Sequence, residues 1–407
     1  MDSNPPRVRY VVGCMSGTSL DGLDAALTKI TGTGLDMTAE FVGMVNAPLP
    51  APLRTTLMSM ANGEPHPPIE YMRAARYLGV VHAEAVAELL AKHGDNLKPD
   101  FVVAHGQTIW HAPADRLSWQ LFDPWPIVRT LNLPVCYDLR QADLVAGGEG
   151  APITPIADWV MYREKADVVL NLGGIANVTR LVKKSSEPTG WHVRGFDIGP
   201  CNLLLDFFCR QLTGQRFDRD GVKAGEGTLH CVETKEDKTG SMYLDFISKI
   251  TPMTDVGESF GREDFSDEML SRLLEPFRET YSPQDILRNA VEAVSQLCGA
   301  VCCSGKRGDI ALAGGGARNK TLISAITSYV KGYEVYDHSS DTYTPYAGRV
   351  ILSDDLGIPC EAREAMGFAV LGALSADGVP ITLPQVTGAE SPGVAGVWVY
   401  PDGPPRV

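Results

Sequence analysis

Carboxylates placed beside glycine turns are the chemistry that this sequence offers most plainly. Residues 13–22 read Gly-Cys-Met-Ser-Gly-Thr-Ser-Leu-Asp-Gly, with Asp24 two positions further on. Glycine lets a ligand approach the backbone, Thr18 and Ser19 add hydroxyls, and successive N–H groups in such a turn form a concavity suited to phosphate. Asp21 and Asp24 beside a phosphate call for a metal or a proton between the charges. A second turn, Gly173-Gly174-Ile175-Ala176-Asn177, and a third, Gly314-Gly315-Gly316-Ala317-Arg318-Asn319, each follow an apolar run. Three glycines between a strand and a helix allow a flat ring or a phosphate to lie on the backbone. Asp197 follows Arg194-Gly195-Phe196 and precedes Gly199-Pro200, a strand end where a carboxylate has the place of a general base toward a hydroxyl or a water. His105, Gln107 and Thr108 share one polar loop and offer hydrogen bonds to a sugar hydroxyl.

Asp21, Asp24, Asp197 and Glu364 are the carboxylates open to magnesium, which takes carboxylates and keeps several waters. Neither GxxxxGK[ST] nor GxGxxG occurs, so a nucleotide site rests on the three turns taken together. Phosphoryl transfer needs metal neutralisation, a positioned acceptor and little covalent chemistry, which is what these residue types supply. The plain alternatives are a glycine-rich hairpin with no ligand, solvated surface carboxylates, and a capping or core histidine at position 105. His111, Cys302 and the tryptophans read as structural.

The elements that must position these residues follow from periodicity. Val8–Val12 and Leu23–Ile30 flank the first turn as strands, and residues 40–46 give a third. Residues 71–93 carry apolar residues at spacings of three and four, a helix with Gly94 as its stop. Residues 101–104 form a short buried strand running into His105, and polar side chains just past such a strand are where open α/β sheets place ligand contacts. Residues 134–137 form another. A restart follows: a strand over 166–172, the second glycine turn, strands over 178–182 and 191–196, and a helix over 203–212. Residues 217–227 and 257–267 read as polar cleft loops. Residues 283–305 and 322–330 are helices around a strand at 309–313, and residues 359–376 a last helix bearing Glu361 and Glu364. The expected organisation is two lobes, 1–160 and 161–376, facing a shared cleft, with a tail from 377 to 407 packed along a surface.

The 407 residues, 44% of them hydrophobic, are enough for two cores. A formal net charge of -14, spread along the chain, argues against nucleic-acid and membrane-surface partners, which call for basic patches. No apolar run approaches a membrane span, and the N-terminus lacks a signal pattern. The nine cysteines show no CxxC pair; Cys298, Cys302 and Cys303 on one helix read as buried thiols of a reducing, cytoplasmic setting.

The sequence resembles the anhydro-N-acetylmuramic acid kinases, within the sugar kinase, chaperone ATPase and actin superfamily, from Gly13 to about Ala376. MSGTSLDGLD (15–24), AHGQTIWH (104–111), DLRQADLVAGGEGAPITP (138–155), LNLGGIANVT (170–179), GFDIGPCN (195–202), GGGARN (314–319) and EAREAMGFAVLG (361–372) carry the resemblance. It implies a two-lobed ribonuclease-H-like (actin-like ATPase) α/β fold with a central ATP cleft. ATP would be bound through Gly17, Thr18, Ser19, Leu20, Asp21, Gly22, Leu23, Asp24, Gly173, Gly174, Asn177, Gly314, Gly315 and Asn319. Magnesium would sit at Asp21 and Glu364, the sugar at His105, Gln107, Thr108 and Asp143, with Asp197 as catalytic base and the chain a homodimer. The implied reaction opens 1,6-anhydro-N-acetylmuramic acid with water and phosphorylates its 6-oxygen. A related anhydrosugar such as levoglucosan is the alternative substrate, and a non-catalytic actin- or chaperone-like ATPase the alternative class. The chain departs from the family at Ile198, Cys201 and Glu149, where Thr, Gly and Gln are usual, changes that bear on the sugar more than on the reaction type.

Overall fold

The computed structural model describes residues 5–17, 20, 22–93, 97–185, 190–230, 242–250, 260, 265–304, 308–337 and 342–402. Two compact units result: Met1–Arg163 together with Gly357–Val407, and Glu164–Leu356. In the first, β1 (Val8–Ser16), β2 (Gly22–Thr31) and β3 (Thr38–Pro48) form an antiparallel meander. β4 (Phe101–Ala104) then runs parallel to β1, with Val11 opposite Phe101. All four residues of β4 are buried, as the continuous apolar run of a central parallel strand requires. A two-stranded hairpin, β5 (Gln107–Ala112) with β6 (Leu117–Leu121), follows, and β7 (Val135–Tyr137) pairs parallel with β4.

The Pro68–His93 helix covers this sheet. It turns Ala74, Leu78, Val81 and Leu89 inward, and Lys92 in its last turn is a cation at the negative end of the helix dipole. The same inward face carries His82, fully buried, with Nδ1 2.8 Å from the Leu78 carbonyl and its ring against Phe122. Burial, opposed in part by that hydrogen bond, pushes its pKa down to about 4. An unfolded histidine takes a proton near pH 6.5, so between pH 6.5 and 4 the unfolded chain binds more protons and stability falls as pH falls. The full effect is about 3 kcal/mol. Urea midpoints at pH 7 and pH 4.5 should therefore separate less in His82→Gln than in the parent; equal separations would exclude His82 as a source of acid sensitivity.

The second unit repeats the plan. β8 (Val168–Leu172), β9 (Ile175–Lys183) and β10 (Trp191–Pro200) form an antiparallel meander. β11 (Ile310–Ala313) is parallel to β8, β12 (Glu334–Asp337) and β13 (Thr342–Pro345) form a small hairpin, and β14 (Val350–Leu352) is parallel to β11. The sheet order is β10-β9-β8-β11-β14, matching β3-β2-β1-β4-β7 of the first unit. A three-stranded meander continued by parallel strands occurs twice, as the restart in the sequence suggested, and it is the ribonuclease-H-like arrangement that the resemblance implies. The Pro283–Cys303 helix, capped by the Ser282 hydroxyl on the Asp285 N–H, buries Ile286, Val294 and Cys298. The eight cysteines among the described residues are free and buried, and burial pushes Cys302 up to about 12, in keeping with structural thiols.

After β14 the chain returns to the first unit. The Arg363–Ala376 helix lies on β1 and β2, so close that a Cβ on Gly13 would fall 1.8 Å from the Ala365 carbonyl oxygen. β15 (Val397–Val399) pairs with β7 as an edge strand. The expected second lobe of 161–376 therefore ends earlier. The last helix and the tail belong to the first unit because they supply its helix layer and an added strand, which periodicity alone does not reveal. Arg9, 1% exposed, meets Asp377 Oδ1 at 2.7 Å and fastens the end of that helix.

Candidate active site

In the first unit Gly17 and Leu20 are the described residues between β1 and β2. The Leu20 N–H donates to the Gly17 carbonyl at 3.1 Å, and Leu20 takes φ +55°, the left-handed region. Arg54 Nε donates to the Leu20 carbonyl at 3.0 Å. The side chains of Leu20 and Leu23 are buried in the core, and both backbone groups of Leu20 are engaged within the fold. Thr18, Ser19 and Asp21 lie outside the described residues. Asp24 sits near the start of β2, opposite Met15, and its Oδ1 accepts from Asn46 Nδ2 at 2.7 Å. Burial raises its pKa; the Asn46 bond lowers it, and the charges of Glu364 and Glu361 raise it again.

Glu364 stands in the first turn of the Arg363–Ala376 helix and Glu361 just before it. Arg363 Nη1 lies 3.9 Å from Glu364 Oε1, while Arg363 Nε donates to Asp158 Oδ1 at 2.8 Å and Nη2 to Asp158 Oδ2. Carboxylates close enough for the charges of Glu364 and Glu361 to raise the pKa of Asp24 supply the hard oxygen donors that magnesium takes, so these residues fit the ion. No group of three or more His, Cys, Asp or Glu suited to a metal occurs among the described residues. Magnesium, held by one or two carboxylates with waters and phosphate, does not require one.

The residues expected at the sugar are joined in one network. His105 Nδ1 donates to the Gly106 carbonyl (2.9 Å), and Nε2 accepts from Arg140 Nη2 (2.9 Å). Burial, then the Arg140 charge, holds His105 well below the usual histidine range, so the ring is neutral. Arg140 Nη1 donates to the Gly150 carbonyl (2.7 Å), and the Gly150 N–H donates to Asp143 Oδ2 (2.8 Å). Asp143 Oδ1 accepts from the Thr387 hydroxyl at 2.6 Å. Asp143 is fully buried, so the residue expected at the sugar instead braces the 146–150 loop against the C-terminal segment. Thr108 Oγ1 accepts from Gln120 Nε2 at 3.2 Å, and Gln107 Oε1 accepts from the Ser16 hydroxyl at 2.9 Å.

In the second unit Asp197 lies inside β10, three residues before its end, where a bulge follows it. Its Oδ2 accepts from the Phe260 N–H at 2.9 Å. Asn171 on β8, Asn177 on β9 and Asp197 on β10 stand opposite one another in register, so a row of two amides and a carboxylate crosses one face of the sheet. Ile198 points the other way, into the hydrophobic core, so the hydroxyl of a Thr at this position would not share the face of Asp197. Cys201, fully buried, donates its N–H to the Gly174 carbonyl at 2.9 Å, and Asn202 donates to the Gly173 carbonyl at 3.1 Å. The Gly173–Gly174 carbonyls thus fix the start of the Asn202–Thr213 helix. Gly314, at φ +83°, passes so close to β8 that a Cβ would fall 2.6 Å from Asn171 Oδ1. Asn319 is a helix cap, its Oδ1 accepting from the Leu322 N–H at 3.0 Å. Of the expected cleft loops, 222–226 is a helical turn, while 257–259 and 261–264 lie outside the described residues.

A cavity of about 570 Å³ opens directly beyond the third glycine turn, lined among others by Arg288, Glu292, Lys320, Ser324, Ser328 and Tyr329. Arg288 Nη1 donates to Glu292 Oε2 at 3.1 Å. Sequence reading passed over these residues, although Lys320 directly follows the glycine turn and Arg288–Glu292 is an i,i+4 pair.

The family model for anhydro-N-acetylmuramic acid kinase matches residues 9–401. The anhydro-N-acetylmuramic acid kinase of Synechococcus sp. (strain WH7803) is 33% identical over 417 residues, covering 96% of this chain and 99% of that protein. That of Bacillus cereus (strain Q1) is 30% identical over 406 residues, with coverages of 96% and 99%. Among solved structures, the activator of the 2-hydroxyisocaproyl-CoA dehydratase from Clostridium difficile with bound ADPNP aligns with a TM-score of 0.43 at 10% identity, over 90% of this chain and 95% of that one.

Proposed function

Because this chain belongs to the anhydro-N-acetylmuramic acid kinase family, and so is a kinase acting on a sugar with ATP, we propose that it opens 1,6-anhydro-N-acetylmuramic acid and phosphorylates it in one coupled reaction. The observation that carries this reading is Asp197, a carboxylate anchored by the Phe260 N–H at the end of a row of amides. Asp197 takes a proton from water as the water oxygen bonds to the anomeric carbon. The bond from that carbon to O6 breaks, its electron pair passes to O6, and O6 bonds to the γ-phosphorus as the bond to ADP breaks. The products are N-acetylmuramic acid 6-phosphate, ADP and a proton.

The glycine run of residues 17–22, assigned to ATP by the resemblance, is the proposed phosphate cradle, and the cavity beside Lys320 offers room and polar groups to the nucleoside end. Asp24 and Glu364 would hold magnesium, which when bound neutralises charge developing on the phosphates. Arg140, linked to His105, brings a guanidinium to the sugar side, and the lactyl carboxylate of the anhydromuramic acid is its natural partner. A homodimer belongs to the same reading and rests on the resemblance, while a cytoplasmic setting rests on the cysteine usage. Among the described residues no helix is long and apolar enough to cross a membrane.

Levoglucosan has neither the lactyl acid nor the acetamido group. Rates of ADP release on the two sugars should give a kcat/KM at least roughly a hundredfold higher for the anhydromuramic acid, because a site built for polar groups rejects a substrate lacking them. Preference for levoglucosan would overturn the choice of sugar.

A further inference from the structure

Ser16 is the last residue of β1, next to Gly17 in the chain, and its hydroxyl reaches Gly106 and Gln107. β1 and β4 are parallel neighbours with Cys14 opposite Ala104, and the His105 N–H continues the ladder to the Cys14 carbonyl at 3.1 Å. Ser16 therefore stands where β1 enters the Gly17–Leu20 turn and where β4 passes through Gly106 into β5. That passage has little freedom: Gly106 has φ +76°, and a Cβ there would fall 3.0 Å from both the Leu121 oxygen and the Phe122 Cβ.

The Ser16 hydroxyl has one hydrogen and two acceptors within reach, Gln107 Oε1 at 2.9 Å and the Gly106 carbonyl at 3.1 Å. The Gly106 carbonyl also receives the His105 ring N–H at 2.9 Å, and the contact to Gln107 is the shorter of the two open to the Ser16 hydroxyl. Ser16 is 1% exposed and Gln107 2%, so water does not stand in for either partner. With Oε1 so engaged, the orientation of the Gln107 amide is set, and its Nε2 keeps only a long contact of 3.4 Å to the Thr108 carbonyl. An amide nitrogen held in that way is a donor offered to a ligand oxygen.

We propose that Ser16 is a positioning residue that couples the nucleotide turn to the sugar strand by fixing the Gln107 amide. This rests on the kinase reading above, in which the Gly17–Leu20 turn meets nucleotide and Gln107 meets sugar. Occupation of the turn settles Gly17 and, through the adjacent hydroxyl, Gln107; each ligand then binds a chain already ordered by the other. Such coupling is reciprocal by linkage and has an ordinary size of about 5–150-fold.

The test is calorimetric titration of the full chain with 1,6-anhydro-N-acetylmuramic acid and a non-hydrolysable ATP analogue, separately and together, for the parent, Ser16→Ala, Ser16→Cys and Ser16→Thr. The parent should bind the sugar about tenfold more tightly with the analogue present, within the usual range of such couplings. Ser16→Ala and Ser16→Cys should reduce that factor to under about twofold, with the affinity for the analogue alone unchanged, and Ser16→Thr, which keeps the hydroxyl, should restore it. A purely structural role would move melting temperature or both affinities and leave the factor intact. Retained coupling in Ser16→Ala, or in the near-isosteric Ser16→Cys should the Ala variant fail to fold, overturns the proposal, as does a parent that binds both ligands independently. A parent that binds no sugar overturns the kinase reading, and the coupling with it.

Discussion

Asp197→Asn should lower kcat for sugar phosphorylation by about a thousandfold, the size of a lost general base, while leaving nucleotide affinity where it was. The amide has nearly the carboxylate's shape, so its oxygen can still accept from the Phe260 N–H, which donates to Asp197 at 2.9 Å in the parent. It cannot take a proton from water. Binding of ATP, measured by titration, should not change, because the glycine turns proposed to hold phosphate lie elsewhere in the sequence. Steady-state ADP release with the anhydrosugar reports the loss. Activity within about tenfold of the parent would remove Asp197 from the role of base.

The second large effect concerns stability. Asp158 and Arg363 form a pair in which the side chains are 0% and 2% exposed. Burial alone would loosen the proton on Arg363; the Asp158 charge and its hydrogen bonds more than reverse that. Asp158→Asn leaves a buried guanidinium without its counter-charge, at a cost of about 3–5 kcal/mol. For a unit of this size the melting midpoint should fall by roughly 10 °C, read by calorimetry. Replacing both partners, Asp158→Leu with Arg363→Met, should recover most of the loss, because the penalty comes from the uncompensated charge rather than from the missing attraction. An unchanged midpoint in the single variant would show that the pair is not what holds the Arg363–Ala376 helix in place.

These effects trace back unevenly to the sequence. The strands of both meanders were legible because branched residues cluster there, and the glycine turns because nothing else breaks those runs. The restart near residue 166 was legible as a repeated order of elements, and the same sheet order in both units bears it out. The last helix was placed in the wrong lobe, since its partner is Gly13 on β1, some 350 residues away in the chain, and only packing shows that contact. Asp143 was expected at the sugar by resemblance, yet its carboxylate is consumed by Gly150 and Thr387, the latter from a tail with no periodicity to read. Leu20 and Leu23 were named with the turn, but their side chains face the core and give the turn its anchor instead. Ser16, Arg140 and the cavity by Lys320 escaped notice because each gains its meaning from a partner on another element.

The central claim is that ring opening and phosphoryl transfer form one event on an anhydromuramic acid. NMR of the product from 1,6-anhydro-N-acetylmuramic acid, ATP and magnesium tests this most directly. The account predicts a reducing sugar, hydroxylated at the anomeric carbon and phosphorylated on O6, formed mole for mole with ADP. ADP formed while the anhydro ring stays intact, or a ring opened without phosphate on O6, would contradict it.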